Sequence, residues 1–586
     1  MSFFKTVLAT VVGLVLAGLV FFGISIMIIA GIVAASSSDK APELSSKTVL
    51  SINLSGPVAE RVAEDPFAEA LGNDQQSIGL LSTLNAIDYA KNDPNIEGIY
   101  IEHGYISSGF AALEEIRAAI EDFKSTGKFV YSYAENLSEP NYYVASVSDE
   151  IFLNPQGVVE LNGISANIAF YKGLFEKLEI NPQIFRVGTY KSAVEPFMRK
   201  DMSEANREQV TSFINGIYDN FLEKIAESRG MEFDALKNIS DSMLVRSGAN
   251  ALDYGLVTKL AYKDEVREAL KEKLEVEKVK DINYVSLNSY IKVADGDDDY
   301  SSNKVAVIVA EGSIVSGNGE SNNIGSAKFA KAIKRARENK KVKAVVIRVN
   351  SPGGGLVASD VMWREIMLTK AEKPVIASMS SVAASGGYYM SMPCDTIVAQ
   401  PNTITGSIGI FGMLFDMSGL LENKFGITHD VVKTGELSDL YTVTRPLNDF
   451  EKGIIQTRIE QGYELFTGKA AEGRNMDIDK LKEVASGRVW TGEQAQEIGL
   501  VDILGSYNDA VSIAAESADL GDDYMVIQYP ELKSEFEEIM AKLMGESEAR
   551  FFKANYGPLA PTIEKIKELQ NYSGIQARMP FDIEWN

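Results

Sequence analysis

From Thr6 to Ser38 no residue carries a charge, and the stretch TVLATVVGLVLAGLVFFGISIMIIAGIVAA exceeds the roughly 20 apolar residues that a membrane-spanning helix needs. The pattern predicts a transmembrane anchor over residues 1–38. A cleaved signal peptide, with an apolar core of about 7–15 residues, is too short to account for it. The positive-inside bias is weak, with Lys5 before the run and Asp39 and Lys40 after it. A five-residue head is nevertheless not the domain-bearing side of the chain, so the body is expected outside the cytoplasm.

After Lys47 short apolar runs of strand length alternate with segments of helical period, which predicts an α/β fold with largely parallel strands. The pattern occurs twice. Gly98–Glu102 corresponds to Ala344–Arg348, Phe129–Tyr131 to Val375–Ala377 and Tyr142–Val144 to Tyr388–Met390, each displaced by 246 positions. One displacement shared by three separate segments predicts a duplicated structural unit. Val210, Phe213, Ile214, Ile217, Tyr218, Phe221 and Leu222 form a helical packing stripe, with Ile455, Ile459, Tyr463 and Phe466 as its later counterpart. The acidic, Gly/Ser-containing segment 294–303 is the expected linker, separating a first repeat over 39–293 from a second over 304–530. The tail, 531–586, is expected to be helical, from Phe536, Ile539, Met540 and Leu543 and then Ile563, Ile566 and Leu569.

Composition narrows the chemistry. A net charge of −25 opposes nucleic acid as a partner. A single cysteine, Cys394, excludes an intrachain disulfide and is read as a small buried residue. Two histidines are too few for a three-histidine metal site and leave a Ser-His-Asp triad only two bases. His103 is expected at the end of a buried strand and His429 in a loop, both structural. No metal or organic cofactor is implied.

Chemistry emerges where the two copies differ. In the second, a strand ending Arg348-Val-Asn350 runs into Ser351-Pro-Gly-Gly-Gly355, a turn able to aim backbone N–H groups at a negative oxygen. It lacks the Lys-Ser/Thr ending of a P-loop and the spacing of a dinucleotide fingerprint. One strand later, Ala383-Ala-Ser385-Gly-Gly-Tyr388 offers an exposed hydroxyl at a strand-to-helix turn. The Gly386 N–H, together with that of Gly353 or Gly354, would form an oxyanion hole. The first copy has Glu139 and Pro140 at the positions of Ser385 and Gly386, so it lacks both nucleophile and donor. It offers instead Lys191, in a small and apolar setting, where the second copy has Leu437. A lysine kept neutral by desolvation can serve as a base for a serine hydroxyl. The copies thus read as complementary, with Ser385 as nucleophile and Lys191 as general base of a serine protease acting on extended apolar peptides.

At these residues the chain resembles the long, two-repeat form of signal peptide peptidase A, also called protease IV. The segment Val187-Gly-Thr-Tyr-Lys-Ser-Ala-Val-Glu-Pro-Phe197 is similar to the family's general-base motif, and Asn350-Ser-Pro-Gly-Gly354 and Ala383–Tyr388 to its oxyanion and nucleophile motifs. Thr405–Gly412 and Val489–Glu493 also fit. The resemblance implies two tandem crotonase-like (ββα spiral) repeats behind one N-terminal transmembrane helix. It further implies a homotetramer in the bacterial inner membrane, facing the periplasm, that degrades cleaved signal peptides. It assigns Ser407 to holding the lysine in place. Two alternatives compete: a crotonase-type acyl-CoA enzyme, which needs a nucleotide site, and a non-catalytic membrane scaffold, which gives Ser385 and Lys191 no reason to meet.

Overall fold

The computed structural model describes residues 41–63, 77–296, 301–320, 322–532 and 574–579, with positions 13, 16–18 and 20 as isolated helical residues. Apart from those positions, the apolar segment read as an anchor lies outside the described residues, as do the two helical stripes of the tail. Among those described, no helix is long and apolar enough to cross a membrane.

Each repeat is built on a largely parallel sheet, the second one ending in an antiparallel pair of Ile404–Gly406 with Val489–Thr491. In the first, Thr48–Ala59 lies between Ile96–Ser107 and Asn283–Ser286, and the sheet continues through Phe129–Ala134 and Glu150–Leu153. In the second, Val342–Ser351 lies between Lys304–Glu311 and Val375–Ala384. Helices cover these strands, so both of their faces are apolar; Val305 through Ala310 are all buried. The duplication extends to individual hydrogen bonds. Tyr142 donates its hydroxyl to the Leu256 carbonyl at 2.8 Å, and Tyr388 does the same to Leu500 at 3.0 Å. Asp149 accepts the Val130 N–H, and Asp395 accepts that of Val375, each at 2.8 Å.

The two packing stripes form as long helices, Glu204–Arg229 and Asn448-capped Asp449–Gly473. Ser203 caps the first by accepting the Asn206 N–H at 3.1 Å, and Gly230 ends it with φ of 61°, a conformation glycine adopts without a Cβ penalty. Burying each of Phe213, Ile217 and Phe221 is worth about 1.5–3 kcal/mol.

A third, mixed sheet joins the repeats. The first repeat's Asn181–Val187 runs antiparallel to the second repeat's Ile410–Asp416, pairing Val187 with Ile410. Between Ile410–Asp416 and the glycine strand Gly353–Gly355 sits Gly574–Arg578, antiparallel to both. The expectation of a helical tail is therefore corrected over these five residues. Too short for a periodic signal, the segment takes its conformation from two flanking strands that offer unpaired edges. Two smaller corrections follow. Ala294–Gly296, assigned to the linker, complete the helix Leu287–Gly296, and Ala294 is buried. His103 lies inside its strand rather than at its end, because pairing continues as far as Ser107 with Pro57.

The repeats also share a buried ionic cluster. Arg348 bonds Glu60 and Glu115 of the first repeat, each at 2.8 Å, and Ser378 of its own repeat at 3.0 Å. Desolvation raises the pKa of nearby Glu311 to about 7, and Arg348 is held charged by the two carboxylates despite its burial.

Candidate active site

The antiparallel pairing of Asn181–Val187 with Ile410–Asp416 delivers the loop after Val187 to the second repeat. In that loop Tyr190 donates its N–H to the Ser486 carbonyl at 3.0 Å. Gln209, on the long helix, donates to the Tyr190 carbonyl at 3.0 Å and to Ser192 Oγ at 2.7 Å, and accepts the Val489 N–H at 3.2 Å. These bonds clamp residue 191 against the other repeat.

Lys191 Nζ lies 2.9 Å from Ser385 Oγ, 3.0 Å from Ser407 Oγ and 3.0 Å from the Ser407 carbonyl. All three residues are fully buried. Desolvation alone drives the lysine pKa well below its ordinary value, and no carboxylate opposes the shift. The lysine stem passes between two glycines: a β-carbon at Gly487 would lie 2.6 Å from Lys191 Cβ, and one at Gly409 would lie 3.1 Å from its Cδ. Only residues without side chains fit there.

Ser385 sits between the strand Val375–Ala384 and the helix Gly386–Ser391 with φ of 55° and ψ of −108°. That backbone is unfavourable for a residue with a Cβ, and it is held by the Ser385 N–H donating to the Gly406 carbonyl at 2.8 Å. Ser407 shares the positive φ, at 50°, and its N–H donates to the Arg488 carbonyl at 2.6 Å. Gly386 opens its helix, so its N–H has no acceptor within that helix. Gly353 faces it with φ of 98°; a β-carbon on Gly353 would lie 2.6 Å from the Gly386 nitrogen. The Gly353 N–H already donates to Ser351 Oγ at 3.1 Å. Gly354 is paired with Ile314 on one side and Ala577 on the other.

The residues singled out in the sequence thus converge from both repeats. Neither histidine contacts Ser385: His103 is buried within the first repeat on Ser132, at 3.0 Å, and burial lowers its pKa to about 3, while His429 is exposed. Cys394 is buried and unpaired by disulfide. In the first repeat Glu139 occupies the place of Ser385 and accepts the N–H groups of Asn162 and Gly163 at 2.8 Å each, a structural tie. Sequence reasoning missed Gln209, Gly409 and Gly487. Gln209 borders an apolar stripe and carried only the weak signal of a polar residue next to packing positions; Gly409 lay unremarked inside the matching segment Thr405–Gly412, and Gly487 carried no signal.

A serine and a desolvated lysine thus meet between duplicated α/β units, and comparison with known proteins gives the class of protein. The model of peptidase family S49 matches residues 122–277 and 367–521. Protease 4 of Salmonella typhi is 36% identical, over 85% of this chain and 83% of its own. The chloroplastic serine protease SPPA of Arabidopsis thaliana is 37% identical, over 81% of this chain and 69% of its own. A putative signal peptide peptidase SppA of Enterococcus faecium is 37% identical, over 39% of this chain and 67% of its own. The chain belongs to peptidase family S49 and is a serine protease.

Proposed function

We propose that hydrolysis proceeds through a Ser385/Lys191 dyad, one member from each repeat, on extended apolar peptides. The observation that carries this reading is the 2.9 Å contact between Lys191 Nζ and Ser385 Oγ in a fully buried setting without a counter-ion. Neutral Lys191 takes the Ser385 proton as the oxygen attacks the peptide carbonyl carbon. The Gly386 N–H, without an acceptor in its own helix, then faces the developing oxyanion, a kind of contact typically worth about 2.7–4 kcal/mol. The protonated lysine gives its proton to the leaving amine, and water releases the acyl group by the reverse exchange. Ser407 serves as a positioning residue for the lysine through its 3.0 Å contact.

A scaffold gives these two side chains no reason to touch, and they do. Desolvation that keeps Lys191 neutral also favours apolar substrate side chains, and the cleft between Gly353–Gly355 and Ile410–Asp416 has the two strand edges that an extended peptide pairs with. Cleaved signal peptides fit that chemistry, and one relative bears signal peptide peptidase in its name. The same reading includes the crotonase-like spiral for each repeat, an anchor formed by the apolar segment 6–38, a periplasmic body and a homotetramer; the charge-free segment and the resemblance at residues 187–197 and 350–388 support it.

The test is turnover of a fluorogenic apolar peptide by the detergent-solubilised chain. Ser385→Ala and Lys191→Met are each expected to lose at least about 10²–10⁴ in kcat while keeping the wild-type circular dichroism. Wild-type turnover in either variant would sink the dyad.

A further inference from the structure

The strand Val489–Thr491 and the turn before it lie where the lysine loop of the first repeat meets the serine turn of the second. Arg488, in that turn, touches both. Its carbonyl accepts the Ser407 N–H at 2.6 Å, and Ser407 in turn holds Lys191 Nζ through its hydroxyl and its carbonyl. Its side chain crosses to the first repeat, where the guanidinium carbon lies 4.9 Å from the ring centre of Tyr190, the residue before Lys191. Arg488 Nη1 donates to the Tyr190 hydroxyl at 3.3 Å and to Glu208 at 2.9 Å. The same guanidinium lies 4.4 Å from the ring centre of Trp490. Trp490 pairs with Thr405, and its ring presses on Gly406: a β-carbon there would be 2.8 Å from Trp490 Cδ1. The Gly406 carbonyl is the acceptor of the Ser385 N–H. A continuous column therefore runs from the nucleophile through Gly406, Trp490, Arg488 and Tyr190 to the base, and from one repeat to the other.

We propose that Arg488 is a positioning residue for the hydrolysis: stacked on Tyr190 and Trp490, it sets the distance between Lys191 and Ser385 across the repeat boundary. This rests on the dyad reading. Arg488 acts through Tyr190 and Ser407, not on the substrate. Its ion pair with Glu208 contributes little, because Glu208 is half exposed and such pairs are screened by water. The rings matter more, since a planar guanidinium stacks on aromatic faces and holds its orientation there. Gln209 fastens the same loop by its main chain, at the Tyr190 carbonyl, whereas Arg488 fastens it by the Tyr190 ring. A lysine loop freed to drift by about 1 Å would lengthen the contact between Nζ and Oγ, at a cost of up to about 10²-fold in rate. The drift would also admit water beside Nζ, weaken its desolvation and let the lysine keep its proton to higher pH.

Kinetics of the full-length, detergent-solubilised chain on a fluorogenic apolar peptide test this. The values of kcat and KM are measured across pH for wild type, Arg488→Met, Tyr190→Leu and the double variant, with Ser385→Ala as the reference for the dyad. Arg488→Met is expected to lose about tenfold to 10²-fold in kcat with KM little changed, and to shift the acid limb of its kcat–pH profile to higher pH. Tyr190→Leu should do the same, and the double variant should be no worse than the worse single one, because both break one column. An unchanged acid limb overturns the proposal even where kcat falls: a strut that only stabilises the fold alters the amount of active enzyme, not the pH at which it works. Additive losses in the double variant overturn it as well. Turnover that survives in Ser385→Ala removes the dyad and the proposal together. An inactive Ser385→Ala beside an Arg488→Met with wild-type kcat and pH profile removes the proposal alone.

Discussion

In the proposed dyad, Lys191 is costly to the fold and useful to the chemistry for the same reason. Its ammonium has no buried carboxylate to balance it, so burial favours the neutral amine. Above its folded pKa the amine is free to accept the Ser385 proton; below it, the ammonium cannot. Turnover is therefore expected to rise with pH through that depressed pKa and to vanish in acid, which a kcat–pH profile would show. The stability effect has a definite sign. In the unfolded chain lysine keeps its proton up to about pH 10.4, whereas the folded chain has already lost it, so over that window the unfolded state binds more protons and stability falls as pH falls. Lys191→Met removes this cost, and its gain in melting temperature over wild type should shrink as pH approaches the unfolded value. Ser407→Ala removes one acceptor from Nζ. Net hydrogen-bond values of about 0.5–1.5 kcal/mol put the expected loss of kcat at several-fold to about tenfold, with KM little changed.

At the level of elements, the site depends on loops that approach too closely for side chains. Gly487, with φ of 78°, touches Lys191 through backbone and Cβ: a β-carbon there would fall 2.7 Å from both its nitrogen and its Cα. Gly487→Ala must push the lysine loop away from the serine turn. Displacement of a catalytic group by about 1 Å can cost about 10²-fold, so kcat should fall by that order while the far-ultraviolet dichroism is preserved. If turnover survives intact, the close approach is not what fixes the lysine. The helices contribute at longer range: Glu204–Arg229 buries one stripe in its own repeat and uses Gln209 to tie both the lysine loop and Val489. One element thus serves packing and catalytic geometry together.

Across the whole molecule, the proposed dyad requires that the repeats stay in register, and the buried cluster around Arg348 is one polar part of that contact. Glu60 and Glu115 from one repeat meet Arg348 from the other with all three side chains at most 1% exposed. Arg348→Met would strand two buried carboxylates, and removing one partner of a buried pair costs about 3–5 kcal/mol. Urea denaturation should show that loss, with turnover falling alongside because the dyad spans the same interface. A second polar tie, Asn402 to Glu114 and Asn220 at 3.0 Å each, should soften the effect on the fold without replacing Arg348.

The apolar runs and their period determined the parallel strands and the long helices, because a buried strand or helix face must be apolar wherever it lies in space. The constant displacement of 246 exposed the duplication, since copies of one core repeat the same burial demands. Asymmetry between the copies then marked Ser385 and Lys191: Glu139 and Leu437 stand where a working pair would need a serine and a lysine. What the sequence alone did not hold was distance. That Asn181–Val187 crosses to the other repeat, that Gly409 and Gly487 flank the lysine stem, and that Gly574–Arg578 lies in the cleft all depend on pairings between segments far apart in the chain. A strand edge accepts any backbone with a free ladder of N–H and C=O groups, so its partner leaves little trace in side-chain pattern. Only the folded chain decided which backbone that would be.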